Sequence, residues 1–531
     1  MPEPRDDRAA ADDVAESFRR LQDDLPKIWE VIQRGHPQAY TSVVVPSLSF
    51  DPDELEKIQG VSFYEERLLF TLIRLRDPRA RVIYVTSQPV HPEIVEYYLQ
   101  LLTGVPASHA RRRLDLVCVF DASAKSLTEK ILERPRVVRR LREAIGNRRL
   151  AYLTCFNSTH RERDLAIELG ISLNAVDPDL LYLGTKTGSR RTFAEAGVEL
   201  PEGLEDVRDR TQVVGALVEL AARRPGLREA ILKLNDSFAG EGNATYAYPT
   251  PLPDGSTARR KAIDAELDRI RWSSSSETLD GFMEKLARMG GIVEERIVGG
   301  ELHSPSVQLR VDPDGELEIV STHDQVLGGP TAQGFVGCRF PAREPYRQVI
   351  RDRAVEIGRV LSAKGVISRF AIDFVVARDG DDDWRCYAIE INLRMGGTTH
   401  PFMALQFLTG GEIEPESGCF VTQQGTRKYY FATDQLKSPT YQGLLPEDFI
   451  EILMQHGLHF RPSTETGVLF HMIGALSQFG KVGVTCIGNS PEEADLFYKK
   501  TVEILDRATG FEGEPSRHLA LLFDEAVPRM E

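Results

Sequence analysis

Cysteine is scarce in this 531-residue chain, and the few cysteines lie far apart. None of the six forms a CxxC pair with another, so the usual spacing of a cysteine zinc site is missing. A disulfide framework is equally unexpected, because disulfide-rich proteins are short, secreted and dense in cysteine. The cysteine pattern therefore indicates a protein of the reducing cytoplasm.

Long apolar runs and an excess of positive charge are missing too. No stretch approaches the roughly 20 apolar residues of a membrane span, and the opening residues MPEPRDDRAAADD lack the apolar core of a signal peptide. Lysine and arginine number 65 against 80 acidic residues, which gives a formal net charge of −15. We therefore expect neither a nucleic-acid partner nor contact with a membrane, because polyanions and anionic surfaces attract basic proteins.

Strand-like apolar runs alternate with helical segments in the first third of the chain. A helix is predicted over residues 14–32, where leucine and isoleucine recur at helical spacing. Four β-rich runs follow, at residues 42–50, 81–90, 114–120 and 150–156. This alternation predicts an open α/β sheet, which we assign to a first domain of residues 1–184.

The remaining chain changes character near residue 425. Residues 231–246, ILKLNDSFAGEGNATY, predict a strand, a Gly-rich loop and a second strand, and residues 370–394 predict a hairpin. After residue 425, strands and two helices, the last opened by Ser490, predict a small α+β domain. The predicted fold class is therefore multidomain, α/β and α+β, with further domains at 185–425 and 426–531.

The stretch AIEINLRMGG (388–397) places Glu390, Asn392 and Arg394 at every second position between aliphatic residues. Alternate side chains of a strand share a face, so these three polar groups should point the same way. Taken alone, the pattern is typical of a surface strand with a solvated polar face.

The predicted hairpin gives this polar face a partner. If its turn is centred near residues 380–382, Asp373 falls opposite Glu390, and two facing carboxylates are destabilising unless a cation lies between them. With the amide oxygen of Asn392 added, the donors are all oxygen, which suits Mg²⁺, with Mn²⁺ as an alternative. Arg394 could then hold a phosphate or carboxylate oxygen. A solvated carboxylate at Asp373 and a surface ion pair at Arg394 are the competing interpretations, and their combination on paired strands favours the metal site.

A second signal points to phosphate. Lys233 ends an apolar strand just before a loop of small residues, and such loops let backbone N–H groups approach phosphate oxygens. The loop is not a Walker A motif, and no GxGxxG fingerprint follows the first strand. A Gly-rich hairpin by itself is more often only a turn.

These pieces occur in a recognisable order. GTKTGSRRTFAEAGVELPEG (184–203) is followed by ILKLNDSFAGEGN, VEERIVGGE, FAIDFVV and AIEINLRMGG. In this order the chain resembles the ATP-grasp superfamily and, within it, the pheganomycin-type peptide ligases. The resemblance implies an ATP-grasp fold: a pre-ATP-grasp domain in residues 1–184, an ATP-grasp domain in 185–425 with a nucleotide flap at about 225–300, and a distinctive C-terminal domain.

Nucleotide contacts are the first roles that the resemblance implies. Lys186 and Lys233 would contact the ATP phosphates, and Glu294 or Glu295 would reach the adenine amino group. The other implied nucleotide-binding positions are the flap residues Ser237, Gly240, Gly242 and Asn243, the hinge backbone at Arg296 and Ile297, and Glu301 at the ribose hydroxyls. The flap sequence AGEGNA departs from the commoner Gly-Gly-x-Gly spacing, which leaves its phosphate contacts open.

Metal binding and catalysis are the second group of implied roles. Asp373, Glu390 and Asn392 would bind one or two Mg²⁺ ions. Arg394, with Lys233, would be catalytic and steady the transferred phosphoryl group and an acyl phosphate. Some relatives that ligate D-amino acids carry a substrate-binding arginine where this chain has Ala371, so that way of anchoring substrate is not expected.

Substrate-binding candidates are fewer. His323 and Gln325 could face the substrate on the strand that returns from the adenine hinge, and a plain polar strand end is an equal alternative. Arg310 could meet a phosphate or a substrate carboxylate, or only a neighbouring acid. His400 could lie near the acceptor, although a packed histidine is the better interpretation.

The resemblance implies an ATP-dependent carboxylate–amine ligase in specialised metabolite or peptide biosynthesis. Its substrates would be a carboxylic acid or peptide and an amine or amino acid, joined through an acyl phosphate with release of ADP and phosphate. A homodimer is one option for its assembly. The rival hypotheses are an inactive ATP-binding regulator, which the intact set from Asp373 to Arg394 argues against, and a small-molecule kinase.

Overall fold

The computed structural model places most of the chain and divides its strands among three sheets. It describes residues 7–34, 37–50, 55–56, 58–236, 242–273, 277–328, 334–380 and 382–510. Within these ranges no helix is long and apolar enough to cross a membrane.

The first sheet is parallel, and its strand order is β3-β2-β1-β4-β5. Its strands are β1 Tyr40–Val45, β2 Ala80–Thr86, β3 Leu114–Cys118, β4 Ala151–Cys155 and β5 Ser172–Leu173. β1 and β4 are buried throughout, as expected for a parallel sheet with helices on both faces. The predicted open α/β sheet is confirmed, and each of the four β-rich runs overlaps one strand.

Helices cover this sheet and connect its strands. They are α1 Asp7–Gln22, α2 Leu25–Gln33, a 3₁₀ helix Val61–Arg76, α3 Pro92–Gln100, α4 Ala107–Arg111, α5 Leu127–Leu132, α6 Pro135–Ile145, α7 His160–Leu169, and short 3₁₀ turns Arg148–Leu150 and Pro178–Gly184. The single helix predicted over 14–32 was wrong, because the chain forms two helices there. Pro26 lies in the first turn of the second helix, where a residue without an N–H is tolerated and cannot continue the helix before it.

The second sheet is antiparallel and small, with the order β6-β10-β7-β8-β9. Its strands are β6 Gly203–Val207, β7 Glu229–Leu234, β8 Asn243–Ala247, β9 Arg271–Trp272 and β10 Gly291–Glu295. The helices of this region are α8 Lys186–Glu195, α9 Arg210–Arg223, α10 Ser256–Glu266 with the 3₁₀ turn Leu267–Arg269, and α11 Leu279–Met289. The predicted strand, loop and strand of residues 231–246 correspond to the β7–β8 pair.

The third sheet is the largest and runs from the middle of the chain to its last strands. Its strands are β11 Glu301–His303, β12 Pro305–Val311, β13 Leu317–Gly328, β14 Gly334–Phe340, β15 Ser368–Arg378, β16 Arg385–Asn392, β17 Glu412–Ile413, β18 Phe420–Val421, β19 Arg427–Lys437, β20 Gly467–His471 and β21 Lys481–Gly488. The accompanying helices are α12 Glu344–Ala363, α13 Thr399–Thr409, the 3₁₀ turn Pro439–Tyr441, α14 Pro446–Gln455, α15 Ala475–Phe479 and α16 Pro491–Ala508.

The two faces of this sheet differ in chemistry. One face packs on α12 through apolar residues such as Leu309, Ile372 and Ile391, which form a buried cluster. The alternate residues of the same strands form the opposite, polar face. This division turns the polar side chains of β15 and β16 away from the core.

The sheet does not stop at the predicted domain boundary. Phe340 of β14 pairs with Tyr430 of β19, so hydrogen-bonded strands continue across residue 425. The boundaries at 184 and 425 remain predictions. The predicted start of the last helix is confirmed, since the Ser490 side chain accepts the Glu493 N–H at its first turn.

Candidate active site

Two carboxylates face each other at the centre of the polar face. Asp373 of β15 pairs directly with Glu390 of β16, which confirms the hairpin register expected from the sequence. Burial, and then the negative charge of Glu390, raise the pKa of Asp373 to about 6. Burial also acts to raise the pKa of Glu390, but Lys186, Arg394 and Lys233 together outweigh it, and the pKa lies below its usual value. The pair thus carries unfavourable charge that a cation can relieve.

Neighbouring polar side chains hold Asp373 in place. Asn392 Nδ2 lies 3.0 Å from Asp373 Oδ2 and donates to it. The side chains of Ser306 and Gln325 also hydrogen-bond Asp373, and Ser306 is its direct partner on β12. Gln325, predicted to face substrate, therefore lies at the carboxylate pair. Ser306 was missed because nothing in its local sequence distinguishes it from an ordinary strand serine.

Two lysines approach from separate elements. Lys186 opens α8, and its Nζ lies 2.5 Å from Glu390 Oε1. Lys233, at the end of β7, has its Nζ 2.5 Å from Oε1 of Glu294, which is buried on the adjacent strand. Asn235 ties the two lysine-bearing segments together, because its carbonyl oxygen accepts the Lys186 N–H and its Oδ1 accepts the Thr187 N–H.

Arg190 was not predicted as a site residue. It lies one helical turn after Lys186, and its Nη1 donates to Glu294 Oε2 at 3.0 Å. Lys186 and Arg190 share a face of α8, since residues four apart are neighbours on a helix. That spacing was the available signal in the sequence.

The residues assigned to adenine and ribose have partners within the chain. Glu294 is paired with Lys233 and Arg190, while Glu295 accepts the Glu202 N–H at 2.9 Å. Glu301 is exposed and lies 2.7 Å from an Arg378 nitrogen. Arg296 and Ile297 directly follow β10, as a hinge would. The nucleotide roles of all these residues remain predictions.

The flap loop is only partly described. Ser237 and Gly240 lie outside the described residues. The Gly242 carbonyl oxygen accepts the Leu234 N–H at 3.0 Å, and Asn243 is the direct partner of Lys233 across β7 and β8. Gly242 and Asn243 therefore lie beside Lys233, and their phosphate contacts stay a prediction.

Arg394 lies beside the carboxylate pair. Its guanidinium is over the Phe50 ring, 5.6 Å from the ring centroid. Burial lowers the pKa of Arg394, and the opposing charges of Glu390, Asp236 and Asp373 act to raise it. A guanidinium at this position could stabilise negative charge on a phosphate or carboxylate bound there.

The weaker substrate candidates have protein partners. Arg310 lies 2.5 Å from Glu318 and stacks on the Trp29 ring, an arrangement that matches the neighbouring-acid interpretation. His323 is fully buried, and its Nε2 lies 2.6 Å from the Tyr430 hydroxyl. Burial lowers the pKa of His323 to about 3, so this ring is neutral. Substrate roles for Arg310 and His323 stay predictions that these contacts do not favour.

His400 belongs to a second buried group. Its Nε2 lies 3.0 Å from His471 Nε2, and His471 Nε2 lies 2.5 Å from Asp434 Oδ1. Among the described residues, these three form the one group of His, Cys, Asp or Glu side chains with donor atoms close enough to hold a metal, all within 4.8 Å of one another. The interpretation of His400 as a packed histidine agrees with this geometry.

The carboxylate pair fits a divalent cation better than the histidine group does. Its donors are oxygen atoms on a partly exposed sheet face, which suits Mg²⁺, and the two carboxylates are direct cross-strand partners. Rotation of the Asn392 amide by 180° would turn its Oδ1 toward the same point.

Comparisons with known proteins agree with this architecture. Residues 179–262 and 267–416 match the family described as IQCH-like, ATP-grasp, and residues 448–501 match the PGM1 C-terminal domain. The biotin carboxylase domain of Hydrogenobacter thermophilus 2-oxoglutarate carboxylase aligns with a TM-score of 0.53 at 11% identity, over 88% of this chain and 90% of that chain. Campylobacter jejuni biotin carboxylase gives 0.50 at 12% identity, over 91% and 99%.

Two curated proteins are similar in sequence. IQ motif-containing protein H of Danio rerio is 24% identical over 444 residues, which are 75% of this chain and 41% of that protein. The L-propargylglycine–L-glutamate ligase of Streptantibioticus cattleyicolor is 30% identical over 472 residues, 88% of this chain and 94% of that enzyme. With the sheet architecture and the paired carboxylates, this extent of identity shows that the chain belongs to the ATP-grasp superfamily, among the pheganomycin-type ligases.

Proposed function

We propose that this protein is an ADP-forming carboxylate–amine ligase that makes an amide or peptide bond. The observation that carries the proposal is the direct pairing of Asp373 with Glu390, flanked by Lys186 and Arg394. The Streptantibioticus relative is named as a ligase of two amino acids, L-propargylglycine and L-glutamate. This name supports amino acids or short peptides as substrates and a role in specialised metabolism.

The polar face fits the requirements of magnesium and ATP. The biotin carboxylase domain that shares the fold was solved with MgADP. Asp373, Glu390 and Asn392 would hold one or two Mg²⁺ ions, and bound Mg²⁺ neutralises phosphate charge so that an anionic carboxylate can attack. Lys186 and Lys233 hold their ammonium groups at Glu390 and Glu294, where small side-chain rotations would bring them to phosphate oxygens.

The chain's own residues account for the remaining chemistry. Arg394 stabilises the charge that develops on the transferred phosphoryl group and on the acyl phosphate. Lys233, next to the flap strands, orients the phosphate chain. Closure of the segment at 225–300 over the site excludes water, which would otherwise hydrolyse the acyl phosphate before the amine attacks.

The rival functions predict different products. A kinase would release ADP without needing an amine, and an inactive regulator would bind ATP without turnover. The Danio relative gives the regulator no direct support, since the chain spans less than half of that protein. The complete set of Asp373, Glu390, Asn392 and Arg394 favours an active enzyme.

Product analysis tests the proposal. The enzyme is incubated with ATP, Mg²⁺ and pairs of amino acids or short peptides, and we expect ADP and phosphate only when an acid and an amine are both present. AMP and pyrophosphate as products would refute it. Glu390→Gln should abolish turnover, whereas Glu412→Gln, on an exposed strand position, should leave turnover unchanged. Light scattering of the purified protein would test the proposed homodimer.

A further inference from the structure

The Val61–Arg76 helix buries three successive charged residues. Glu65, Glu66 and Arg67 are only 6%, 5% and 4% exposed. They reach in different directions: Glu65 accepts from Ser87, Glu66 accepts the Gly474 N–H, and Arg67 donates to Asp434. Charges are rarely buried without partners, because desolvation costs several kcal/mol.

Arg67 is held by an ion pair at one end and by two aromatic rings. Its Nη1 lies 3.0 Å from Asp434 Oδ2, and Asp434 Oδ1 is fixed by His471. The guanidinium carbon lies 4.4 Å from the Tyr64 ring centroid and 4.9 Å from that of Phe156. The orientation of the guanidinium plane is therefore set before any ligand arrives.

The remaining edge of this guanidinium has no partner. In the part of the chain that the structure describes, Nε and Nη2 of Arg67 are buried and lack a hydrogen-bond acceptor. These two N–H groups form the parallel pair that carboxylates and phosphates bind with two hydrogen bonds. The neighbouring aromatic rings attract the cation through their faces, but they offer no oxygen acceptor to these two N–H groups.

Arg67 lies near the candidate active site. The Phe156 carbonyl oxygen accepts the N–H of Met395, the residue after Arg394, so the ring that stacks on Arg67 is tied to the Arg394 segment. Arg67 is also among the charges that lower the pKa of Arg394. Phe50 and Phe156 follow β1 and β4, at the carboxyl ends of neighbouring strands, where open α/β sheets bind ligands.

The charges around Asp434 favour an anion over a metal ion. Arg67 and Lys481 are two cations near this one carboxylate, and Lys481 Nζ donates to the Tyr64 hydroxyl at 2.7 Å. Burial raises the pKa of Glu66 to about 8, so that this acid is mostly neutral at pH 7. A divalent ion on His400, Asp434 and His471 would add to an existing positive surplus.

We propose that the Nε and Nη2 edge of Arg67 binds the free carboxylate of the amine-bearing substrate. This inference rests on the proposed ligase function. The carboxylate that becomes activated must lie at Arg394 and the Asp373–Glu390 pair, so a second guanidinium beside Arg394 serves a carboxylate that is not activated. Two hydrogen bonds there would orient the amine toward the acyl carbon.

Steady-state kinetics with carboxylate-blocked substrates tests this assignment. L-glutamate, its α-amide isoglutamine and its γ-amide glutamine are used as the first amine probes, followed by other L-amino acids and their α-amides. For wild type we expect the α-amide to raise KM about 30-fold over the acid, the effect of removing one partner of a buried charge pair. Arg67→Lys keeps a positive charge that can pair with Asp434, whereas Arg67→Met does not. Both variants should lose the preference for the acid over its α-amide, while the KM for ATP stays within about threefold of wild type.

The matched control is Arg76→Met, on the same helix, where the guanidinium donates to the Phe407 carbonyl oxygen. Its preference for the acid should equal that of wild type. Near-ultraviolet circular dichroism establishes that each variant is folded. An acid preference that persists in Arg67→Lys or Arg67→Met, or that is absent from wild type, overturns the assignment.

Phosphate is the other source of the same chemistry, and a separate arm distinguishes it. If Arg67→Met raises the KM for ATP and leaves the acid preference unchanged, the edge serves phosphate and the carboxylate assignment is wrong. If wild type joins none of the substrate pairs, the ligase proposal fails. Calorimetric titration with acetate and with inorganic phosphate then tests anion binding at Arg67 independently of ligation. Acetate binding that Arg67→Met abolishes supports it, and equal binding by both proteins refutes it.

Discussion

Replacing Asp373 with asparagine should stabilise the metal-free protein while abolishing its activity. Burial and Glu390 raise the pKa of Asp373 from 3.8 to about 6, so the ionised form is disfavoured in the folded state. A tenfold change in an equilibrium is worth about 1.4 kcal/mol. The pKa of about 6 in the folded state, against 3.8 in the unfolded state, therefore corresponds to about 3 kcal/mol of destabilisation at pH 8, where Asp373 is ionised in both states.

The dependence on pH gives the prediction its sign. The penalty is complete above pH 6, falls to about 1.6 kcal/mol at pH 5, and vanishes below the ordinary pKa of 3.8, where the group is protonated in both states. Asp373→Asn removes it. The new Oδ1 can still accept from Ser306 and Gln325, and the Asn392 amide can turn so that its Oδ1 accepts from the new Nδ2. The variant's advantage over wild type should therefore shrink as the pH falls.

Urea unfolding at pH 5, 6, 7 and 8 with EDTA measures this difference. Asp382→Asn, at an exposed position of the same hairpin, is the control and should match wild type at each pH. Added Mg²⁺ should stabilise wild type and not Asp373→Asn, since only an ion that binds the folded state raises stability. An Asp373→Asn protein that is less stable than wild type at pH 8, or whose difference from wild type does not change with pH, would refute the reasoning.

Three further predictions concern the surroundings of the pair. Glu294→Gln leaves the buried Lys233 ammonium facing a neutral amide, while Arg190 keeps its pair with Glu205, and should lower the free energy of unfolding by about 3 kcal/mol, measured in urea, whereas a change under 1 kcal/mol would contradict the ion-pair account. Gly188→Ala places a β-carbon against the Tyr182 carbonyl oxygen and should shift α8 and weaken ATP binding about tenfold or more by calorimetry, while Gly396→Ala, with open space, should bind ATP like wild type. EDTA should abolish turnover, and Mg²⁺ or Mn²⁺ should restore it in a product assay, whereas activity that survives EDTA would exclude the metal assignment.

Local patterns predicted the central part of the site. Alternation along β16 and the length of the hairpin were enough to place Asp373 opposite Glu390, because both are decided within about 25 residues of chain. The Lys233–Glu294 pair was not predicted, because it depends on two strands that are far apart in the sequence. β7 and β10 are antiparallel, with Lys233 opposite Ile292, so Glu294 is its diagonal neighbour.

Long-range contacts were not predictable in this way. Arg67 meets Asp434 across 367 positions of sequence, and no periodicity relates a first-domain helix to a strand near the other end. Three adjacent charged residues, as in FYEERLLF, are typical of a solvated helical turn. Only the tertiary fold shows that Glu65, Glu66 and Arg67 are all buried. The break before α2 was visible at Pro26, where the apolar pattern alone predicted one continuous helix.

The pairing of β14 with β19 joins the last hundred residues to the sheet that carries Asp373 and Glu390. A chain cut at residue 425 would leave the N–H and C=O groups of β14 without their neighbour, an open edge that recruits other chains into aggregates. Recombination among relatives that exchanged only the terminal segment would have to preserve the register of Phe340 with Tyr430. Exchange of the terminal segment alone would therefore disturb the sheet that carries Asp373 and Glu390.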